Sequence, residues 1–334
     1  MGLCEGSREV VKPGSPAAFA LALLAFGASS TTPASGGETL RVCLDAKVPP
    51  WSAHSNGRSS GFDLAVADAI ARRLGLNLGV QWFETELDRD SSTKLDANAL
   101  LSAGLCQLVG GYPLTEGTVG KPGMSSARLP DYEGAVPGDR RRSVELGVLA
   151  PSRAYHFAAL TIVTRAAASG PRISGMSQLD GMKLGVEGGT LADAALMLFA
   201  DGRLVNQITH IVPGRDELLR RLEKNDYDAT LVELRRFDEY RNKHPETKLT
   251  PSGYYSRIGF NMGFVGLSTD RDLIDKVDAL ISRMLDSGEI AALARDAGVT
   301  YLPPRQPNIS RDITIADLRE TNDGISGGGT LPPR

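Results

Sequence analysis

Residues 61–76, GFDLAVADAIARRLGL, decide the fold class. Phe62, Val66, Ile70 and Leu74 recur at helical spacing and give one apolar face, while Gly75 supplies the stop. A short apolar strand, TLRVCLD at 39–45, precedes this helix, and LGVQWFET at 78–85 follows it. Two strands separated by a helix pair in parallel, with the helix covering the sheet.

The same alternation extends outward. A helix at 95–104, LDANALLSAG, is ended by Gly104 and leads into the strand LCQLVGGY at 105–112. After a long irregular stretch, strands follow at 159–165, 183–187, 207–212 and 227–233. Helices fall between them: TLADAALMLFADG opened by Thr190 as N-cap, RDELLRRLEKN, and the polar LRRFDEYRNKH. The strand GFNMGFVGL at 259–267 and two helices, 271–285 and 288–298, close the pattern. The chain is therefore α/β with two successive units, and AKVPPWSAHSNGRSS at 46–60 reads as a Pro-rich polar loop.

The 334 residues are 41% hydrophobic and 23% charged, enough for two domains with cores. The net charge of -3 and the absence of a clustered basic face argue against nucleic acid as a partner. At the N-terminus, Arg8 and Lys12 precede PAAFALALLAFGAS and a small polar run, the layout of a signal peptide too short to span a bilayer. Residues 1–34 are accordingly expected to be a leader, and Cys4 to leave with it. Cys43 and Cys106 then remain, and two readings stand: a disulfide suited to an oxidising compartment, or two buried thiols on neighbouring strands.

From about Leu40 to Leu302 the chain resembles the bacterial extracellular solute-binding proteins of family 3. The likeness is carried by LRVCLDAKVPPWS with GFDLAVADAIARRLGL, ALLSAGLCQLVGGYPLT, LDGMKLGVEGGTLAD, RLEKNDYDATLVE and IAALARDAGV, in that order. It implies the two-lobed type II periplasmic fold, each lobe a mostly parallel sheet flanked by helices, with the ligand cleft between lobes. It also implies a periplasmic monomer that captures a small molecule without a cofactor and hands it to an ABC permease. Cysteines at 43 and 106 make the chain most similar to the branch found beside periplasmic quinoprotein (PQQ) dehydrogenases and cytochromes, so an accessory role there is the other expected partnership.

The resemblance divides the chain into 39–150 as first lobe, with an insertion at 118–150 read as a lid or docking surface, and 156–255 as second lobe. Residues 258–303 return to the first lobe, and the polar, Gly/Pro-rich 304–334 is expected to be a disordered tail. Cleft positions carried over are Trp51 and Tyr112 as aromatic platforms, Thr115 at the end of GGYPLT, Gly189 and Thr190 at a helix start, and Glu233 where amino-acid binders carry an aspartate. At Gly117, where those binders have a carboxylate-clamping arginine, no side chain exists to make the bidentate contact. Arg128 and Arg153 are the substitutes at hand, and a standard amino-acid ligand is not expected.

Enzyme motifs are thin. GRSSG at 57–61 fits G-x-S-x-G in letters, but no strand runs into Ser59 as a nucleophile elbow needs. His54, His156, His210 and His244 show no metal-ligand spacing, so neither metal nor catalytic residues are expected. The surviving enzyme alternative is a periplasmic cyclohexadienyl dehydratase on the same fold, with Glu84, Glu116 or Glu187 as the general acid.

Overall fold

The computed structural model describes residues 38–319, apart from 86–92, 140–141, 166–172 and 215, together with 325–326. The expected leader lies outside the described residues. Strands β1 (Thr39–Asp45), β5 (Asn77–Glu84) and β6 (Leu108–Pro113) pair in parallel, with α1 (Phe62–Leu74) and α2 (Thr93–Ser102) as their crossovers. Between β1 and α1 the short strands β2 (Lys47–Val48), β3 (Ser52–Ser55) and β4 (Arg58–Ser60) form a small antiparallel sheet. That stretch was expected to be a loop. Its turn is Asn56-Gly57, both at positive φ (52° and 71°), the geometry that a two-residue hairpin requires.

The second unit repeats the plan with β12 (Leu184–Glu187), β13 (Ile208–Ile211) and β14 (Ala229–Glu233) parallel, crossed by α3 (Leu191–Leu198) and α4 (Glu217–Glu223). Strand β11 (His156–Arg165) runs antiparallel to β14, and α5 (Leu234–Lys243) follows β14 directly. The joining element is β15 (Leu249–Leu267), ten residues longer than the stretch read from sequence. It pairs antiparallel with β11 along its first part and with β6 and then β10 (Leu149–Pro151) along its last. One sheet therefore runs β13-β12-β14-β11-β15-β6-β1-β5, with β8 (Asp131–Tyr132) at its outer edge. Helices α6 (Arg271–Asp286) and α7 (Glu289–Asp296) return to pack on α1.

Alternation along β1 sorts its side chains. Leu40, Val42 and Leu44 enter the core under α1, α6 and α7, while Cys43 enters the core under α2. Cys43 and Cys106 are joined by a disulfide on that second face. Within the insertion, β8 (Asp131–Tyr132) pairs with the outer edge of β5, and β7 (Ser126–Arg128) pairs with β9 (Ser143–Glu145) over α2. These residues cover an edge that would otherwise template pairing with another chain.

Past Leu302 the chain does not become structureless as expected. Residues 304–319 pack against both connecting strands and end in α8 (Ile315–Arg319), whose Leu318 is buried in the core beneath α3. A two-residue strand, β16 (Ile325–Ser326), pairs with β15. Composition misleads here because Asn, Ser and Asp supply hydrogen bonds that substitute for apolar burial.

Two outcomes follow from the first unit. The sequence separation of 63 between Cys43 and Cys106 makes the loop they close long, so the chain-entropy model assigns it about 4 kcal/mol. A Cys43→Ala/Cys106→Ala double variant should lose 2–4 kcal/mol in urea unfolding, roughly that figure less relaxation. The second concerns Asp63, whose buried carboxyl accepts from Tyr155 Oη at 2.7 Å; burial pushes it up to about 7 from 3.8. Between pH 4 and 7 the unfolded chain ionises at this position and the folded chain does not, so wild-type stability falls by up to about 1.4 kcal/mol per pH unit. Asp63→Asn should therefore gain relative to wild type as pH rises through that window, and unfolding midpoints at pH 5 and 7 read the slope.

Candidate functional site

In open α/β sheets ligands meet the carboxyl ends of the strands. Here β12 ends on Glu187 and β14 on Glu233, and each strand passes straight into a helix start. Gly188 and Gly189 make the first turn, with Thr190 as N-cap of α3; α5 begins at Leu234, which places Arg235 and Arg236 in its first turn. Glu187, Thr190, Glu233, Arg235 and Arg236 line a cavity of about 420 Å³, and Lys47 adds to its wall from the first unit.

The cavity wall is an ion network rather than a set of free charges. Arg236 bonds Glu239 at 2.8 Å and lies 3.8 Å from Glu187; Arg235 reaches Glu233 at 3.2 Å and Glu239 at 3.9 Å. Glu239 also takes Lys243 at 2.6 Å, so a single buried carboxylate holds three cations in place. Lys47 pairs with Glu84 at 3.3 Å. The side chain of Arg235, 15% exposed, does more: its guanidinium lies 5.6 Å over the Trp51 ring and donates to the Pro49 carbonyl at 3.2 Å. That contact fastens the second unit to the loop following β2.

The residues expected in the cleft separate into three groups. Thr190 and Glu233 both line the cavity, with Thr190 Oγ1 donating to the Glu187 carbonyl at 2.8 Å and accepting from Asp193 N at 3.2 Å. The Gly189 amide is taken by Asp193 Oδ2 at 2.8 Å. Trp51 sits at the seam between the units, edge-on to His156 at 5.5 Å, with its other contact supplied by Arg235 rather than left open. Among the described residues, its Nε1 and His156 Nδ1 are buried without a hydrogen-bond partner.

Tyr112 is a correction. It is fully buried in the core under α2 and donates its hydroxyl to the Thr118 carbonyl at 2.7 Å. The cause is a bulge: Tyr112 opposes Gly263 and Val109 opposes Val265, so β6 has one residue more than β15 there and the parity of its side chains flips. The bare backbone of GGYPLT is likewise explained from within. A Cβ on Gly110 would meet Phe264 at 2.8 Å and Leu44 at 2.9 Å, and one on Gly111, at φ 63°, would meet Asp63 Oδ2 at 2.5 Å. Thr115 is also buried, and its hydroxyl donates to Asp312 Oδ1 at 2.6 Å.

Neither expected substitute arginine lines the cavity: Arg128 lies on β7, and Arg153 pairs with Asp278 of α6 at 3.3 Å. Of the carboxylates weighed as acids, Glu187 lines it, while Glu84 borders a separate hollow of about 790 Å³ on the first unit with His54 and Trp82. Ser59 sits on β4 across from His54, 2.9 Å from Nδ1, on a hairpin and not at a strand-to-helix turn. Arg235, Arg236 and Lys47 went unread in the sequence. The signal for the first two was their place directly after a strand end, and for Lys47 its place two residues beyond β1. Among the described residues, no group of three or more His, Cys, Asp or Glu side chains is placed to hold a metal ion, and no helix is long and apolar enough to cross a membrane.

No protein-family model matches the chain, and no curated protein matches it in sequence. Solved structures do match. The second substrate binding domain of a putative amino acid ABC transporter from Streptococcus pneumoniae is 15% identical over 78% of this chain and 99% of that one, with a TM-score of 0.56. Substrate binding domain 2 of Lactococcus lactis GlnP, in its open conformation, is 14% identical over 78% and 95%, TM-score 0.55. The unliganded, open L-cystine solute receptor of Neisseria gonorrhoeae is 17% identical over 78% and 93%, TM-score 0.54. At these identities the likeness concerns the fold, which is the two-lobed α/β architecture of periplasmic binding proteins.

Arg235 should be a clasp between the units. Arg235→Ala, read in a Trp82→Phe background that leaves Trp51 as the sole indole, should red-shift Trp51 emission and raise its quenching by acrylamide. The lost cation–π contact and hydrogen bond should together cost about 1–2 kcal/mol. Unchanged quenching would mean that Trp51 is covered without Arg235.

Proposed function

We propose that this chain is an extracytoplasmic solute-binding protein that captures a small molecule between its lobes. The first lobe in this reading is 39–150 with 258–303, the second is 156–255, and β11 and β15 are the hinge. The observation that carries it is the cavity at the ends of β12 and β14, whose lining includes Lys47 from the opposite lobe. The similar solved structures, which are substrate binding domains and a solute receptor, support the same reading. A signal peptide at 1–34 and a periplasmic location complete it, with an ABC permease as recipient.

A second reading has one observation in its favour. The Trp51 face is covered by Arg235 and the Thr115 hydroxyl by Asp312, so two expected ligand contacts are already satisfied by protein groups. That suits an accessory of a periplasmic quinoprotein dehydrogenase or its cytochrome, which would dock rather than carry cargo. No catalytic step is assigned, and incubation with prephenate or arogenate is expected to give no product.

The test is a thermal-shift and calorimetric screen of the purified protein against the twenty amino acids, sugars, polyols and small alcohols. Without an arginine at position 117, no standard amino acid should bind at micromolar concentration, because an α-carboxylate loses a charge-assisted pair of hydrogen bonds. A polar ligand contacting Thr190 and Arg236 should bind and be lost in Thr190→Ala. Micromolar glutamate or lysine binding would restore an ordinary amino-acid receptor. Co-purification with a dehydrogenase and no ligand would favour the accessory.

A further inference from the structure

The polar segment after Leu302 follows a defined route across the molecule. Phe157 N, at the start of β11, donates to the Leu302 carbonyl at 3.0 Å. Buried Asn261, in the middle of β15, accepts from Arg305 N at 2.9 Å and donates to the carbonyls of Arg305, Pro307 and Asn308 at 2.8, 3.0 and 3.0 Å. Asn308 then accepts from Ala154 N at 2.7 Å and donates to the Ser152 carbonyl at 3.1 Å. The segment is thus fixed to both strands that connect the two units before it reaches the end of β6.

At that end it pairs like a strand. Ser310 N donates to the Leu114 carbonyl at 3.0 Å, and Glu116 N donates to the Ser310 carbonyl at 2.9 Å. Two residues on, the Asp312 carboxylate accepts from Thr115 Oγ1 at 2.6 Å and from Gly117 N at 3.1 Å. Lys94 Nζ donates to the carbonyl of the same Gly117, which places a cation behind the turn. Beyond Asp312, Thr314 caps α8 through Asp317, and Leu318 enters the core of the second unit. The acid is therefore delivered to a hydroxyl, an amide and a nearby ammonium by a segment anchored on both sides of it.

Gly117 is what makes room. A Cβ at that position would lie 2.4 Å from Asp312 Oδ2 and 2.8 Å from its Cγ, inside any real contact. Its backbone needs no glycine for conformational reasons, since its φ is not in the left-handed region. The missing side chain at 117 and the acid at 312 are then complementary.

We propose that Asp312 is a built-in occupant of a carboxylate site made by Thr115 Oγ1 and the Gly117 amide, held there by the 302–319 segment, so that a free carboxylate is excluded from the end of β6. The segment doubles as a strap from the first unit to the second. Neither statement requires a cargo, so failure of the solute-binding reading leaves this one standing, and the reverse.

Two measurements on the full chain test it. In Asp312→Gly the site is vacated, and sodium acetate should raise the unfolding temperature saturably, above the response to sodium chloride at equal ionic strength. Wild type and Asp312→Gly/Thr115→Val should not show that excess. The second is a double-mutant cycle. Gly117→Ala should lower the unfolding temperature by several degrees where Asp312 is present, and leave it unchanged in the Asp312→Gly background. Equal acetate responses in wild type and variant, or an additive cycle, would each overturn the assignment.

Discussion

Strand β15 must satisfy its backbone groups against two different neighbours, first β11 and then β6 with β10. Every buried amide and carbonyl in such a strand has to be paired, since each orphan costs about 1–3 kcal/mol. That requirement merges two α/β units into one sheet, and places the β11 and β15 crossing where the units meet. Bulges between Ala159 and Val163 absorb the change of direction. The seam residues Trp51, His156 and Arg235 gather at this crossing, where the start of α5 packs against β11.

The helix–strand alternation was legible because each helix carries its apolar face at a period near 3.6 and each strand is short and flanked by turns. The small sheet at 47–60 was missed although Asn56-Gly57 is a strong hairpin signal; the Pro-rich approach obscured it. Thr190 and Glu233 were found at the cavity because strand ends and helix starts are positions a sequence does display. Tyr112 was misplaced because a bulge changes which face a side chain takes, and nothing in GGYPLT announces one. Asp312 was missed for a different reason: its partner lies 197 residues away, and polar tails that pack through side-chain hydrogen bonds share their composition with tails that do not.

The disulfide and the insertion strengthen the same half of the sheet. Cys43 and Cys106 join β1 to the residues just before β6, and β8 covers β5 on the other side. The first unit thereby has a fixed platform, to which the 302–319 segment is attached at Leu114 and Glu116. The second unit relies instead on α3, α4 and α5 closing over two apolar layers. Its cavity wall is correspondingly a set of side chains at helix starts rather than a braced sheet edge.

Burial decides which charges matter in that wall. Exposed pairs such as Arg203 with Asp180 contribute about 0–1 kcal/mol and are screened by salt. Glu239, at 7% exposure, is different: losing both of its close cations, Arg236 and Lys243, would leave a buried carboxylate without a close partner, which typically costs about 3–5 kcal/mol. Arg235, Arg236 and Lys243 are thus held in place by Glu239. A charged solute would have to compete with Glu239, Glu187 and Glu233 for the same nitrogens. Arg235, Arg236 and Lys243 are matched by Glu187, Glu233 and Glu239, so the network presents no net positive charge to draw in a carboxylate.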